Sequence, residues 1–406
     1  MAAKICNYYV GANSARGYVS YFEDNIMGID TIFLLAGGSD QEKSLLIKNI
    51  GINWYIKGYD IEFIHSASDE NEIEAVIIPA LSAAVINSSL QYVQQARFSA
   101  ANIESINMEL DNSSRSALLD EYLISGMKSK AMEYYNLAYD QFKKALSMHD
   151  QWEKIYLNNI DFKKLDEIAE GCIKKLFGDR SLSKEGISKN RFFGGATGKG
   201  TANFVMDLTS GLGKRYFIKG RPGSGKSTLL KKVAAAAQIR GFNTEVYHCG
   251  FDPQSLDMVI VRELDFAIFD STAPHEFFPC RESDEVIDIY NAAITPGTDD
   301  KYKDELALIV SKYKEAVSSG VLFLAKAKEL EDQIGGIIKA KINTKTIDKV
   351  YDELISKLNS VFDSLSDTKS DVISDVKSDV KSGVKSGVKS GADADADSHN
   401  ISDKQD

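Results

Sequence analysis

The chain lacks any long apolar run: across its 406 residues no stretch approaches the roughly 18 apolar residues of a membrane span. Its opening, MAAKICNYYVG, has no hydrophobic core of signal-peptide length. A cytoplasmic protein without membrane attachment is expected. Basic charge is also short. Lys and Arg number 48 against 59 Asp and Glu, a formal net charge of −11, so no cation excess offsets phosphate charge and general nucleic-acid binding is not expected. Cysteine is scarce: Cys6, Cys172, Cys249 and Cys280 include no C-x-x-C pair and read as reduced thiols. A zinc site drawn through His248, Cys249, His275 and Cys280 would need adjacent ligands and lacks paired spacing. Apolar residues still make up 43%, enough for real cores over two or three domains.

The most informative stretch is Tyr216 to Leu230, YFIKGRPGSGKSTLL. An apolar strand leads into Gly220, Arg221, Pro222, Gly223, Ser224, Gly225, Lys226 and Ser227, which fit the Walker A pattern G-x4-G-K-[ST], and Thr228 continues into a helix-forming run. Glycines let successive N–H groups turn inward around a β-phosphate. Lys226 adds a point charge for the β and γ oxygens, the Ser227 hydroxyl can ligate Mg2+, and the helix presents its positive end. A nucleoside triphosphate, ATP, with Mg2+ is the expected ligand.

With a fixed offset of 183, the difference between Lys226 and Lys43, the first half of the chain aligns on the second. Gly11 meets Gly194, Gly17 meets Gly200, Gly37 meets Gly220, Lys43 and Ser44 meet Lys226 and Ser227, and Asp69 meets Asp252. The chain is therefore two copies of one unit. Short apolar runs in each (Ile32–Leu35, Ile61–His65, Ala75–Ile78 and Ala83–Ile86; Tyr216–Ile218, Thr244–Cys249, Met258–Val261 and Phe266–Phe269) predict a buried parallel sheet with helical crossovers. The fold class expected is α/β: two tandem P-loop NTPase-like units, residues 1–184 and 185–363, paired within the chain. Each ends in a helical annex, about 90–178 and about 284–362, which could serve as a lid, as a dimerisation surface or as contact for a protein partner. From Ser364 a repeated KSDV/KSGV unit with few large apolar residues predicts a disordered tail, 364–406.

The copies are unequal. In the first, Glu42 stands where Gly225 stands and Asp40 where Gly223 stands, which aims carboxylates at a polyphosphate and resists the backbone turn. The second copy has a Walker B strand, Phe266 to Asp270, whose carboxylate holds Mg2+; the first ends the same strand in the uncharged Asn87. One competent site in the second copy is expected, with Lys226 and Asp270 as catalytic residues and Ser227 and Asp270 on the metal. In the loop after Asp270, Thr272, His275, Glu276 and Arg281 are candidate γ-phosphate or substrate contacts, with Thr272 and Arg281 the leading choices. Of the carboxylates near strand ends, Asp252, Asp257, Glu263 and Glu276, Asp252 and Glu263 are preferred for activating water, Asp252 with the reservation that Asp69 matches it; Glu263 is the choice. The glycine-rich Gly194–Gly200 is expected to be a structural turn.

FIKGRPGSGKSTLLKK followed by YHCGFDP and FDSTAPHEFFP resembles a family of uncharacterised bacterial tandem P-loop ATPases, mainly from Firmicutes, over nearly all the chain before the tail. The resemblance implies the P-loop NTPase fold and nucleotide binding at Gly220 to Thr228, and supplies no substrate. GGSDQEKS departs from the more regular first loop of that family. The expected activity is Mg-dependent ATP hydrolysis. Phosphotransfer to a small molecule or nucleotide, and a non-catalytic nucleotide-gated interaction module, stay open as alternatives.

Overall fold

The structure is a computed structural model that describes residues 3–108, 117–272 and 276–386. The first half runs β1 (Ile5–Tyr8), β2 (Gly11–Ser14), β3 (Gly17–Ser20), α1 (Phe22–Ile26), β4 (Thr31–Gly37), α2 (Asp40–Ile56), β5 (Ile61–His65), β6 (Ile73–Ile78), β7 (Ala83–Asn87), α3 (Gln91–Gln95) and β8 (Asn102–Met108), then the helices α4 (Ala117–Leu157) and α5 (Phe162–Phe177). The second repeats the order: β9 (Ser188–Phe192), β10 (Gly194–Thr197), β11 (Gly200–Asn203), α6 (Val205–Thr209), β12 (Lys214–Lys219), α7 (Lys226–Ile239), β13 (Thr244–His248), β14 (Leu256–Val261), β15 (Phe266–Asp270) and β16 (Asp284–Asp288). It closes with α8 (Ile289–Ala293), α9 (Thr298–Lys301), α10 (Lys303–Lys339) and α11 (Thr344–Ser386). The chain divides into two compact units, 1–354 and 355–406. Both sheets belong to the first.

The duplication is visible in topology. One six-stranded sheet has the order β1-β5-β6-β7-β4-β8, the other β9-β13-β14-β15-β12-β16. The expected parallel sheets are mixed, mostly parallel, because β6 and β14 each run antiparallel to both neighbours. Short connections explain this: a parallel crossover needs a dozen or more residues, whereas β6 turns into β7, and β14 into β15, through a single 3-10 turn. Each of those turns ends on a left-handed non-glycine residue at equivalent positions, Ser82 (φ 48) and Asp265 (φ 58). The annexes expected to be helical from Leu90 and Asp284 both contain an edge strand, β8 and β16, recruited by pairing with β4 and β12. Their polar sequences gave no apolar run to mark them. Gly194–Thr197 and Gly200–Asn203 form a hairpin, like β2 and β3. Helix α11 extends past the Ser364 boundary to Ser386, and its four-residue repeat is close enough to 3.6 to suit a helix. The rest of the expected tail, 387–406, lies outside the described residues.

The period of two along each strand sorts side chains into two cores. Ile32, Ala84 and Ile86 share one buried cluster with Phe217, Met258, Ile260, Ala267 and Phe269, so the facing surfaces of the two sheets pack together. The other face of the second sheet, with Ile218, Val259, Val261, Phe266 and Ile268, is covered by Leu229, Leu230 and Val233 of α7. It is also covered by Leu165, Ala169, Leu176 and Phe177 of α5, which comes from the first sequence copy. Reciprocally, the start of α11 lies on α2, where Asn53 Nδ2 donates to the Tyr351 hydroxyl at 3.3 Å. Packing therefore crosses the repeat boundary in both directions. Helices α4 and α10 pair antiparallel, with His149 near Tyr313, Phe142 against Gly320 and Tyr135 donating to Glu331 at 2.7 Å. Hairpin tips cross as well: Arg16 donates to Asp252 at 2.6 Å, and Lys199 to Asp69 at 2.6 Å.

Candidate functional site

The glycine loop lies where β12 gives way to α7. Gly223 (φ 74) and Gly225 (φ 90) occupy left-handed backbone, and a Cβ on Gly223 would lie 2.5 Å from the Glu153 carbonyl oxygen of α4. Ser224 Oγ accepts from the Arg221 N–H at 3.1 Å, bracing the turn. Lys226, at the start of α7, donates to the Arg221 carbonyl at 2.8 Å and stands 3.6 Å from Asp270. Asp270 arrives there because β15 is the parallel neighbour of β12, with Ile218 opposite Asp270. Its Oδ1 accepts from the Thr272 N–H at 2.9 Å, and Thr272 Oγ1 in turn accepts from Gly220 N at 3.2 Å. Ser227 Oγ accepts from Leu256 N at 2.9 Å, which ties the start of α7 to β14.

A cleft of about 320 Å³ opens over this loop. Its floor is Pro222 to Thr228 with Asp270 and Thr272; one wall is Asp252, Ser255 and Asp257; and His149, Glu153 and Tyr313 of α4 and α10 cover it. The cover is thus made by both annexes, one from each copy. Burial, then the Asp270 charge, pushes the Asp257 carboxyl up to about 7. Burial lowers the His149 imidazole and holds the Cys249 thiol well above its usual range. The oxygen donors at the floor, the Ser227 hydroxyl and the Asp270 carboxylate, are of the hard type that Mg2+ takes. They fit that ion. Among the described residues one three-residue group of metal-ligating type, His149, Asp150 and Glu153, also brings its ligand atoms within 4.8 Å of one another on one turn of α4.

The structure gathers Pro222, Gly223, Ser224, Gly225, Lys226, Ser227, Thr228, Asp270 and Thr272 around this cleft. Other expected residues are not in its lining, Gly220 among them. Glu263 sits in the turn between β14 and β15, at the opposite end of the strand from Asp270, bound to Lys184 at 2.5 Å and to Asn243 N at 2.7 Å. Arg281 donates to the Ser210 and Leu212 carbonyls at 2.8 and 3.1 Å, beside α6. Arg221 turns away to Asp299 at 2.9 Å, over the Tyr290 ring. Glu276 lies 3.9 Å from Lys219, outside the cleft lining, and His275 lies outside the described residues. Sequence reasoning missed His149, Glu153 and Tyr313, which long helices deliver from remote positions. It counted Asp257 among four carboxylates without preferring it.

The first copy's equivalent region is closed by its own side chains. Ser39 and Glu42 form a reciprocal cap on α2, with the Glu42 carboxylate accepting from Ser39 Oγ at 2.8 Å. Lys43 is fully buried, 3.0 Å from Asp40, and also donates to Ser89. Asn87 Nδ2 donates to the same Asp40 at 2.9 Å. The remaining cleft is about 80 Å³. Glu74, the counterpart of Asp257, is bonded by the Tyr92 hydroxyl, and burial pushes its carboxyl up to about 8.

No family model matches the chain, and neither the curated proteins nor the solved structures contain a match. Among the described residues no helix is long and apolar enough to cross a membrane.

Proposed function

We propose that the chain is a cytoplasmic tandem P-loop protein that binds ATP with Mg2+ at one site, in its second copy, and hydrolyses it. The reading rests on one contrast. In the second copy Lys226 and Asp270 flank a roomy cleft over a left-handed glycine turn, whereas in the first the equivalent lysine is already neutralised by Asp40 and the cleft is a quarter of the size. Inward N–H groups of the loop and the start of α7 would hold the phosphates, Lys226 would contribute charge, and Ser227 with Asp270 would hold Mg2+, which supplies charge neutralisation on the phosphate oxygens. Residues of α4 and α10 line that cleft together and so link the two copies.

Phosphotransfer is the second reading, favoured by the extension of the cleft to Phe251, Tyr313 and His149, which gives an acceptor a place to lie. Titration with ATP and Mg2+, with stoichiometry and phosphate release followed together, tests both. One nucleotide per chain and phosphate release without acceptor are expected. Two equal sites, or no binding, would refute the proposal, and turnover only with an added acceptor would favour the second reading.

A further inference from the structure

The cleft holds a second carboxylate close to Asp270. In the antiparallel pairing of β14 and β15, Met258 lies opposite Phe269, and Asp257 and Asp270 each stand one residue beyond that last pair. Phe269 faces the inter-sheet core, so alternation turns Asp270 to the face that carries α7, while Asp257 sits at a bulge of β14, where Met258 pairs with Tyr247 and Leu256 with His248. Both line the cleft over the glycine loop. Asp257 is 8% exposed. No lysine or arginine is bonded to it among the described residues, and the one side chain hydrogen-bonded to it is the Cys249 thiol.

Two carboxyls set side by side out of water repel each other and lose solvation, so the arrangement is costly unless a proton or a cation is shared between them. Lys226 stands near Asp270 and leaves Asp257 without a direct partner of opposite charge. The first copy shows the same register relieved in a different way. Ala75 pairs with Ile86, Glu74 and Asn87 each stand one residue beyond that pair, and there the second carboxylate is an amide whose NH2 is spent on Asp40, while the Tyr92 hydroxyl donates to Glu74. The copy whose lysine lines an open cleft is also the copy that keeps two acids. That correlation joins the pair to the site rather than to packing.

We propose that Asp257 and Asp270 together form a two-carboxylate divalent-cation site, with Ser227 as the third protein oxygen, so that the cation is held from two adjacent strands. This rests on the reading of the glycine loop as a phosphate site, since the remaining ligands would be phosphate oxygens and water. Ser227 is already tied to the residue before Asp257, Leu256, through its hydroxyl. Three oxygen donors of that kind on one side suit a hard ion such as Mg2+ or Mn2+ and leave the opposite side for phosphate.

The test is Mn2+ binding followed by electron paramagnetic resonance on the full chain, with and without a non-hydrolysable ATP analogue. The Asp257→Asn, Asp270→Asn and Glu74→Gln variants are compared with wild type. Asp257→Asn is expected to weaken Mn2+ at least tenfold, as Asp270→Asn does, and Glu74→Gln to leave it unchanged. Because Asp257 is buried and its variant could misfold, Fe2+-directed backbone cleavage of the wild-type protein provides a second measurement. Cuts at the start of β14 and at the end of β15 are expected; cuts only at the end of β15 and at the glycine loop would overturn the proposal. Unaltered Mn2+ affinity in a folded Asp257→Asn variant, or no Mn2+ binding by wild type under either condition, would overturn it too. Asp257-dependent Mn2+ binding in a protein that takes no nucleotide would uphold the cation site and refute the ATP reading.

Discussion

Lys43 and Asp40, three residues apart at the start of α2, form a 3.0 Å ion pair in which the lysine side chain is wholly buried. The equivalent Lys226 has glycine in place of that aspartate and keeps 10% of its side chain exposed toward the cleft. One substitution thus converts a phosphate-seeking lysine into a structural one. The carboxylate takes the place of the anion the loop would otherwise have to import.

This asymmetry predicts the outcome of paired lysine substitutions. Lys226→Ala should weaken nucleotide binding at least a hundredfold, as read by fluorescence of a labelled ATP analogue. Lys43→Ala should leave binding within twofold of wild type and instead lower stability by about 1–3 kcal/mol, since it empties the space of a fully buried side chain. Equal losses of binding in both variants would refute the assignment.

Glu74 predicts a pH dependence of stability. Its folded carboxyl titrates at about 8 because burial disfavours the charge, against 4.5 for an unburied one. Between these values the folded chain holds a proton that the unfolded chain has released, so this group's contribution to stability falls as pH rises from 4.5 to 8 and is level above that. Urea midpoints should show this decline, worth a few kcal/mol in total, and Glu74→Gln should flatten it. An unchanged slope in the variant would show that the burial of Glu74 does not govern it.

The Arg16 and Asp252 pair predicts coupling between the copies. Its partners are partly exposed, 39% and 19%, so a double-mutant cycle with Arg16→Ala and Asp252→Ala should return about 0.5–1 kcal/mol. A coupling near zero would mean that the hairpin tip is held by the Ala15 N–H to Phe251 carbonyl bond of 2.9 Å and not by the charge pair.

Gly320 predicts how tightly α4 and α10 are joined. A Cβ at this position would lie 2.3 Å from the Phe142 ring, which is itself buried. Gly320→Val should therefore destabilise the chain by about 1–3 kcal/mol through overpacking, despite valine's lower cost in helix backbone entropy, and thermal melting measures it. A rise in melting temperature would show that the helices can separate without loss.

The sequence by itself determined the internal duplication, the strand and helix around Gly220 to Ser227, and which copy had kept its glycines and its Asp270. These are local properties: glycine is required where φ is positive, and apolar runs mark buried strands wherever they fall. Only the tertiary structure decided that β6 and β14 reverse direction, that polar β8 and β16 join the sheet edges, and that α5 crosses to the second sheet. It also decided which charged residues meet. Glu263 and Asp257 are both carboxylates near an end of β14, but the two ends of a strand lie at opposite edges of the sheet, and Asp257 alone reaches the cleft that Lys226 lines. The helices that roof the cleft come from residues 149, 153 and 313, and separations of that length are closed by packing that no local spacing encodes.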